Sequence, residues 1–151
     1  MRAITPFLWF DDDLEQAVEF YTSVFPEGKV HGINRTPDGN VLTADFELAG
    51  QHVKGLNGGP RFPHTEAFSF FVECDGQEEV DHYWQVLTAD GGEESQCGWL
   101  KDRFGVSWQI IPVQFMDMVS SGTREQVERV MAAMMTMQKF DVAALRAAYD
   151  G

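Results

Sequence analysis

The sequence predicts an α+β fold made of two copies of one module, each a strand, a helix and a meander of antiparallel strands, followed by a helical tail. Three observations carry this. A β-rich segment, an acidic cap and an apolar helical stripe occur in that order at the start of the chain, and again from residue 67. Each helical stretch ends at Pro or Gly and gives way to short alternating segments punctuated by turn residues. Beyond residue 115 the periodicity is helical with no strand pattern.

Module one spans 3–59. Residues 4–10, ITPFLWF, are rich in β-formers and aromatics. The DDD that follows offers an N-cap, and Asp13 with Gln16 fits a capping box. Leu14, Ala17, Val18, Tyr21, Val24 and Phe25 then recur at helical spacing until Pro26 and Gly28 stop the helix. Strands are predicted over 29–36, 41–48 and 51–56, broken by the turns PDGN and AGQ. LNGGPRFPHTE is the linker.

Module two spans 64–113. Its strand covers 67–74, Asp75 and Glu78 repeat the cap, and Val80, Tyr83, Trp84 and Leu87 form the stripe before Gly91 and Gly92. Strands 96–101 and 106–111 flank DRFG. The modules superpose Ala17 on Val80, Tyr21 on Trp84 and, without a gap, Phe7 on Phe70. The tail, 115–150, holds a helix opened by a Thr123/Gln126 capping box and a shorter one capped by Asp141. Its methionine stripe reads as core or subunit contact. At 151 residues the three parts are expected to form one domain.

The charge balance narrows the partners. With 24 acidic and 11 basic residues the net charge is -13, which repels nucleic acid and anionic membranes. No apolar run spans a bilayer, and MRAITPFLWF lacks the regions of a signal peptide. Cys74 and Cys97 form no CxxC pair or disulfide framework, so a reducing, cytoplasmic setting is expected.

FLWFDDDLEQAVEFYTSVFP, LNGGP, QEEVDHYWQVL and QCGWLKDRFGVSWQIIP together resemble the PhnB-like group of the vicinal-oxygen-chelate superfamily, which also contains glyoxalase I, extradiol dioxygenases and bleomycin-resistance proteins. The resemblance covers nearly the whole chain. It implies two βαβββ modules whose curved sheets form a cup, and a homodimer. Some members carry a demethylubiquinone methyltransferase label, but the sequence shows no glycine-rich strand-to-helix loop for S-adenosylmethionine.

Metal-dependent members place ligands on the first and last strand of each module. Those positions here read Pro6, Lys54, Ser69 and Gln109, a set that cannot hold a divalent ion, so no metal and no cofactor is expected. His31, His52, His64 and His82 are scattered along the chain and suggest no substitute.

Alternation then places Leu8, Ser69, Phe71, Ser107, Gln109 and Ile111 toward the cup, and Phe7, Trp9, Phe68, Phe70, Val72, Trp108 and Ile110 beneath the helices. The candidate ligand-binding residues are Leu8, Lys54, Asn57, Ser69, Phe71, Trp99 and Gln109. Lys54 either loses water and meets an anion or reaches solvent from a strand edge. Asn57 either orients a ligand or serves the turn beside Gly58 and Gly59. Trp99 either stacks on a flat molecule or packs, and Cys97 reads as inert for want of a base. Lys101, Asp102 and Arg103 read as solvated turn charges. No catalytic residue is assigned. The leading expectation is metal-independent binding of a small, partly aromatic or apolar molecule. The alternatives are a small-metabolite isomerase, lyase or dioxygenase-like enzyme, and a structural dimer whose cup is filled by its own side chains.

Overall fold

A computed structural model describes residues 3–151, so Met1 and Arg2, which begin the segment read for a signal peptide, lie outside the described residues. The chain packs as two compact units, one ending at His64 and the other covering Thr65–Gly151. The first contains β1 (Phe7–Phe10), α1 (Leu14–Val24), β2 (Lys29–Arg35), β3 (Val41–Leu48) and β4 (Gln51–Asn57). Its sheet runs β1-β4-β3-β2, with β1 parallel to β4 and the other pairs antiparallel. The second repeats the plan with β5 (Phe70–Cys74), α2 (Gln77–Thr88), β6 (Glu93–Glu94), β7 (Trp99–Lys101) and β8 (Ser107–Pro112), in the order β5-β8-β7-β6. Helices α3 (Val113–Ser121), α4 (Arg124–Met134) and α5 (Val142–Asp150) complete the second unit. The two-module α+β class with C-terminal helices is therefore the observed one.

In the first unit, α1 buries Leu14, Ala17, Val18 and Tyr21 against a sheet face made of Leu8, Phe10, Ala44, Phe46, Leu48 and Val53. Gly55 admits the helix: a Cβ there would sit 2.6 Å from Leu14 Cδ1. Between β3 and β4, Ala49 and Gly50 both take left-handed φ, the two-residue turn that matches strand twist.

The expected facing of β1 is inverted. Leu8 is only 4% exposed, on the helix-covered face, whereas Phe7 is 55% exposed on the open one. Phe7 pairs with Lys54, and its open-face equivalent Phe71 pairs with Gln109. The strands thus superpose Phe7 on Phe71 while the helices superpose Tyr21 on Trp84, so the β1–α1 connection is one residue longer than β5–α2. A gapless repeat misses that residue, and a slip of one reverses every side chain.

The caps differ as well. Asp13 is the N-cap of α1 but makes no side-chain bond there. Asn57 takes the role instead: its Oδ1 accepts the Leu14 N–H at 3.0 Å and its Nδ2 donates to the Val41 carbonyl at 3.0 Å. Helix α2 starts after Gly76 (φ 92), and the Glu79 carboxylate rather than that of Glu78 accepts the Asp75 N–H at 2.7 Å. The Thr123/Gln126 box and the Asp141 cap form as expected.

In the second unit, Val80, Trp84 and Leu87 pack with Leu100, Trp108 and Ile110. Asp102, expected to be solvated, is 3% exposed. It accepts from the Phe104 and Val106 N–H groups at 2.9 and 3.0 Å and from the Trp108 indole at 2.8 Å, which pins the β7–β8 hairpin. The helical region begins at Val113, because β8 enters α3 directly through Pro112. The tail docks on this unit: Gln77 bridges the Phe140 carbonyl and the Val142 N–H, and the Met137 and Gln138 carbonyls accept the Cys97 and Gly98 amides. The methionine stripe is half core, with Met134 buried and Met135 exposed.

Replacing Asn57 by Ala removes a helix cap and a strand clamp together and is expected to lower the unfolding free energy by about 1–3 kcal/mol. Urea unfolding followed by circular dichroism reads this; an unchanged midpoint would contradict the structural role of Asn57.

Candidate functional site

The open face of the second sheet carries the candidate site. A pocket of about 470 Å³ is lined by Glu66, Glu93, Cys97, Trp99, Lys101 and Ser107, among others, a size in the usual small-molecule range of roughly 300–1,000 Å³. Strand register builds it. Glu93 lies opposite Lys101, and Lys101 opposite Ser107, so one row of side chains crosses β6, β7 and β8. A second row sets Trp99 and Phe71 on either side of Gln109.

The Cys97–Gly98 turn presents Trp99. Both residues adopt left-handed φ, 57° and 81°, and the Trp99 amide closes the turn on the Gln96 carbonyl at 3.1 Å. Only glycine suits position 98, since a Cβ there would lie 2.9 Å from Ile111 Cδ1 and 3.0 Å from the Ile110 carbonyl.

The electrostatics favour some ligands over others. Lys101 pairs with Glu66. Their hydrogen bond holds the Glu66 carboxyl below its usual range and raises the Lys101 ammonium above its own. Glu94, also in the lining, accepts the Trp84 indole at 2.7 Å. With Lys101 matched by Glu66, Glu93 and Glu94 leave the pocket negative. Ser107 is 1% exposed, and its Oγ has no hydrogen-bond partner among the described residues. A buried hydroxyl left unpaired costs about 1–3 kcal/mol.

The expected site residues do not form one cluster. Ser69, Phe71, Trp99 and Gln109 belong to the second unit, where Gln109 Nε2 donates to Ser69 Oγ at 2.9 Å; of the four, Trp99 lines the pocket. Lys54 is on the open face of the first sheet, but its side chain is 48% exposed and sits 3.1 Å from Asp45 Oδ2, so it is a solvated ion pair and not a desolvated amine. Asn57 spends both ends of its amide on backbone, and Leu8 is core. Sequence reasoning missed Glu93 and read Lys101 as a solvated turn charge. Lys101 was within reach, because a hairpin centred on DRFG sets it opposite Ser107.

The superfamily's metal positions do not fit a metal here. With the β1 slip corrected, the equivalent of Ser69 is Thr5, and the set becomes Thr5, Lys54, Ser69 and Gln109. One member is a paired lysine and another an amide already bonded to Ser69. The histidines are less scattered than the sequence suggests: His31 and His52 both meet Glu47 on the open face of the first sheet.

Residues 2–111, both modules without the tail, match the family model described as 3-demethylubiquinone-9 3-methyltransferase. The chain belongs to that family. Its PhnB-like character is equally plain in a solved PhnB protein from Bacillus cereus, 32% identical over 74% of this chain and 99% of the other, with a TM-score of 0.68. A Pseudomonas aeruginosa protein (17% identity, 74% and 98% coverage, TM-score 0.61) shares the fold. So does the fosfomycin resistance protein of Listeria monocytogenes, solved with Mn(II) and sulfate (17%, 72% and 89%, TM-score 0.54). At 17% identity the last two neighbours show a shared fold alone. No curated protein matches this chain.

The two thiols should separate by accessibility. Cys74 is fully buried, and burial, helped by Glu79, pushes its pKa up to about 12; Cys97 is half-buried in the pocket lining. A thiol-disulfide reagent at pH 8 is expected to label one cysteine in the native chain, none after Cys97→Ser, and both in denaturant. Native labelling of Cys74 would contradict the packing described.

Proposed function

We propose that this PhnB-like chain is a metal-independent binding protein for a small neutral or cationic molecule with a flat apolar part, held in the second-unit pocket. The observation that carries this reading is the lining itself: the Trp99 ring and carboxylates that outnumber the one lysine. A lone thiol beside Met135 Sδ, at 3.9 Å, is not an activated nucleophile. Methyl transfer, named in the family description, finds no support in the strand-to-helix connections, which are the aspartates at 11–13 and Asp75–Gly76 and not a glycine-rich turn.

A second reading, a small-metabolite isomerase, lyase or dioxygenase-like enzyme, is favoured by one observation: three carboxylates share the pocket and offer proton transfer. Two of them are already committed, Glu66 to Lys101 and Glu94 to Trp84, which supports the binding reading over the catalytic one. The homodimer belongs to the same proposal, supported by β2, an edge strand exposed along its whole length with Val30 and Ile33 in contact with solvent. A cytoplasmic location is proposed on the two free thiols; among the described residues no helix is long and apolar enough to cross a membrane. The charge of -13 argues against nucleic-acid and membrane partners.

Two dyes test the binding reading. Thioflavin T, cationic and flat, is expected to bind saturably with or without EDTA, and anilinonaphthalene sulfonate, an anion, to bind more weakly. Trp99→Ala should weaken thioflavin T by about tenfold, the loss of one stacking contact of roughly 1.4 kcal/mol. Preference for the anion, or full affinity in Trp99→Ala, would overturn the proposal.

A further inference from the structure

We propose that the first unit carries a divalent transition-metal site, of zinc type, formed by His31, Glu47 and His52 on the open face of its sheet. The three lie on β2, β3 and β4, are distinct residues from the Thr5, Lys54, Ser69 and Gln109 set, and belong to a different unit from the pocket. The backbone brings them together in two steps. The tight Ala49–Gly50 turn sets Glu47 directly opposite His52. A register shift between Val30 and Gly32 then leaves His31 out of the regular ladder beside Lys29, which pairs with Glu47.

The ligand atoms converge. His31 Nε2 lies 2.9 Å, and His52 Nε2 3.3 Å, from the same Glu47 Oε2. One atom from each of the three residues lies within 4.8 Å of the others. The imidazoles stack, with centroids 4.7 Å apart and planes 13° from parallel, and both bring Nε2 to Glu47. An ion with bonds of about 2.0–2.2 Å would space neighbouring ligands roughly 3–3.5 Å apart, close to the two Nε2–Oε2 separations.

The surroundings supply the orientation a ligating histidine needs. His52 turns its Nδ1 toward Asp45 Oδ1, 3.6 Å away. That oxygen is buried without a hydrogen-bond partner among the described residues, while Oδ2 of the same carboxylate holds Lys54 at 3.1 Å. A carboxylate behind Nδ1, once it closes to hydrogen-bond distance, selects the tautomer that presents the Nε2 lone pair to an ion. Two imidazoles and one carboxylate suit zinc and its first-row neighbours, not magnesium or calcium, which take oxygen ligands. The side chains are partly exposed, at 30% for His31, 53% for His52 and 25% for Glu47, which leaves room for water to complete the coordination.

Calorimetric titration of the chelator-dialysed full chain with zinc chloride tests the site, with cobalt absorption as a second readout. One ion per chain is expected. Affinity should fall more than tenfold in His31→Ala, His52→Ala and the near-isosteric Glu47→Gln, and about tenfold in Asp45→Asn, the usual effect of removing an outer-shell partner. His82→Ala, on an exposed face of α2, should bind as the parent does. Thioflavin T affinity should be indifferent to zinc, which separates this site from the second-unit pocket. Failure to bind one ion, or binding that survives in the His31→Ala/His52→Ala double variant with circular dichroism unchanged, would overturn the proposal.

Discussion

A sheet with one face closed by a helix has a single face left for chemistry, and the phase of strand alternation decides which residues occupy it. In the first unit Leu8, Phe10, Phe46 and Val53 lie beneath α1, which leaves Phe7, Asp45, Glu47, His52 and Lys54 on the open side. In the second, Trp108 and Ile110 pack with α2, and Ser107 and Gln109 take the opposite side. The pocket and the histidine cluster both follow from that choice of phase. Devices that hold the phase are correspondingly well bonded. Asp102 ties the β7–β8 hairpin through three donors, and Asn57 joins the end of β4 to the start of α1.

Much of this was legible from sequence because it depends on local chemistry. Alternation placed Trp108 in the core and Gln109 on the open face, and the caps at Thr123 and Asp141 are short-range bonds with a clear signature. The β1 phase was not legible. It turns on one extra residue in the DDD connection, which helical spacing alone does not register. Asn57 was read as a ligand or turn residue because its partners, Leu14 and Val41, are 43 and 16 positions away. Asp102 looked like a turn charge because its indole donor belongs to the next strand. The Glu47–His52 pairing could be read from the AGQ hairpin, but His31 joins it only through a bulge in β2.

The two units share a topology and differ in what they present. One offers two histidines, a glutamate and an Asp45–Lys54 pair; the other offers a tryptophan, a buried serine hydroxyl and excess carboxylate. A common scaffold with divergent surfaces is how one fold comes to host several chemistries, and neighbours at 17% identity speak to the scaffold alone. The left-handed Cys97–Gly98 turn shows the coupling between scaffold and site. The same two residues that bond the loop after α4 also present Trp99 to the pocket.

The central claim is that small molecules bind the second unit around Trp99. Nitrogen-15 chemical-shift mapping with a panel of neutral and cationic aromatic fragments tests it most directly. The account predicts the largest shifts at the Trp99 indole and at the amides of Lys101 and Ser107, with β1–β4 unmoved. Shifts confined to the first unit, or absent from Trp99 across the panel, would contradict it.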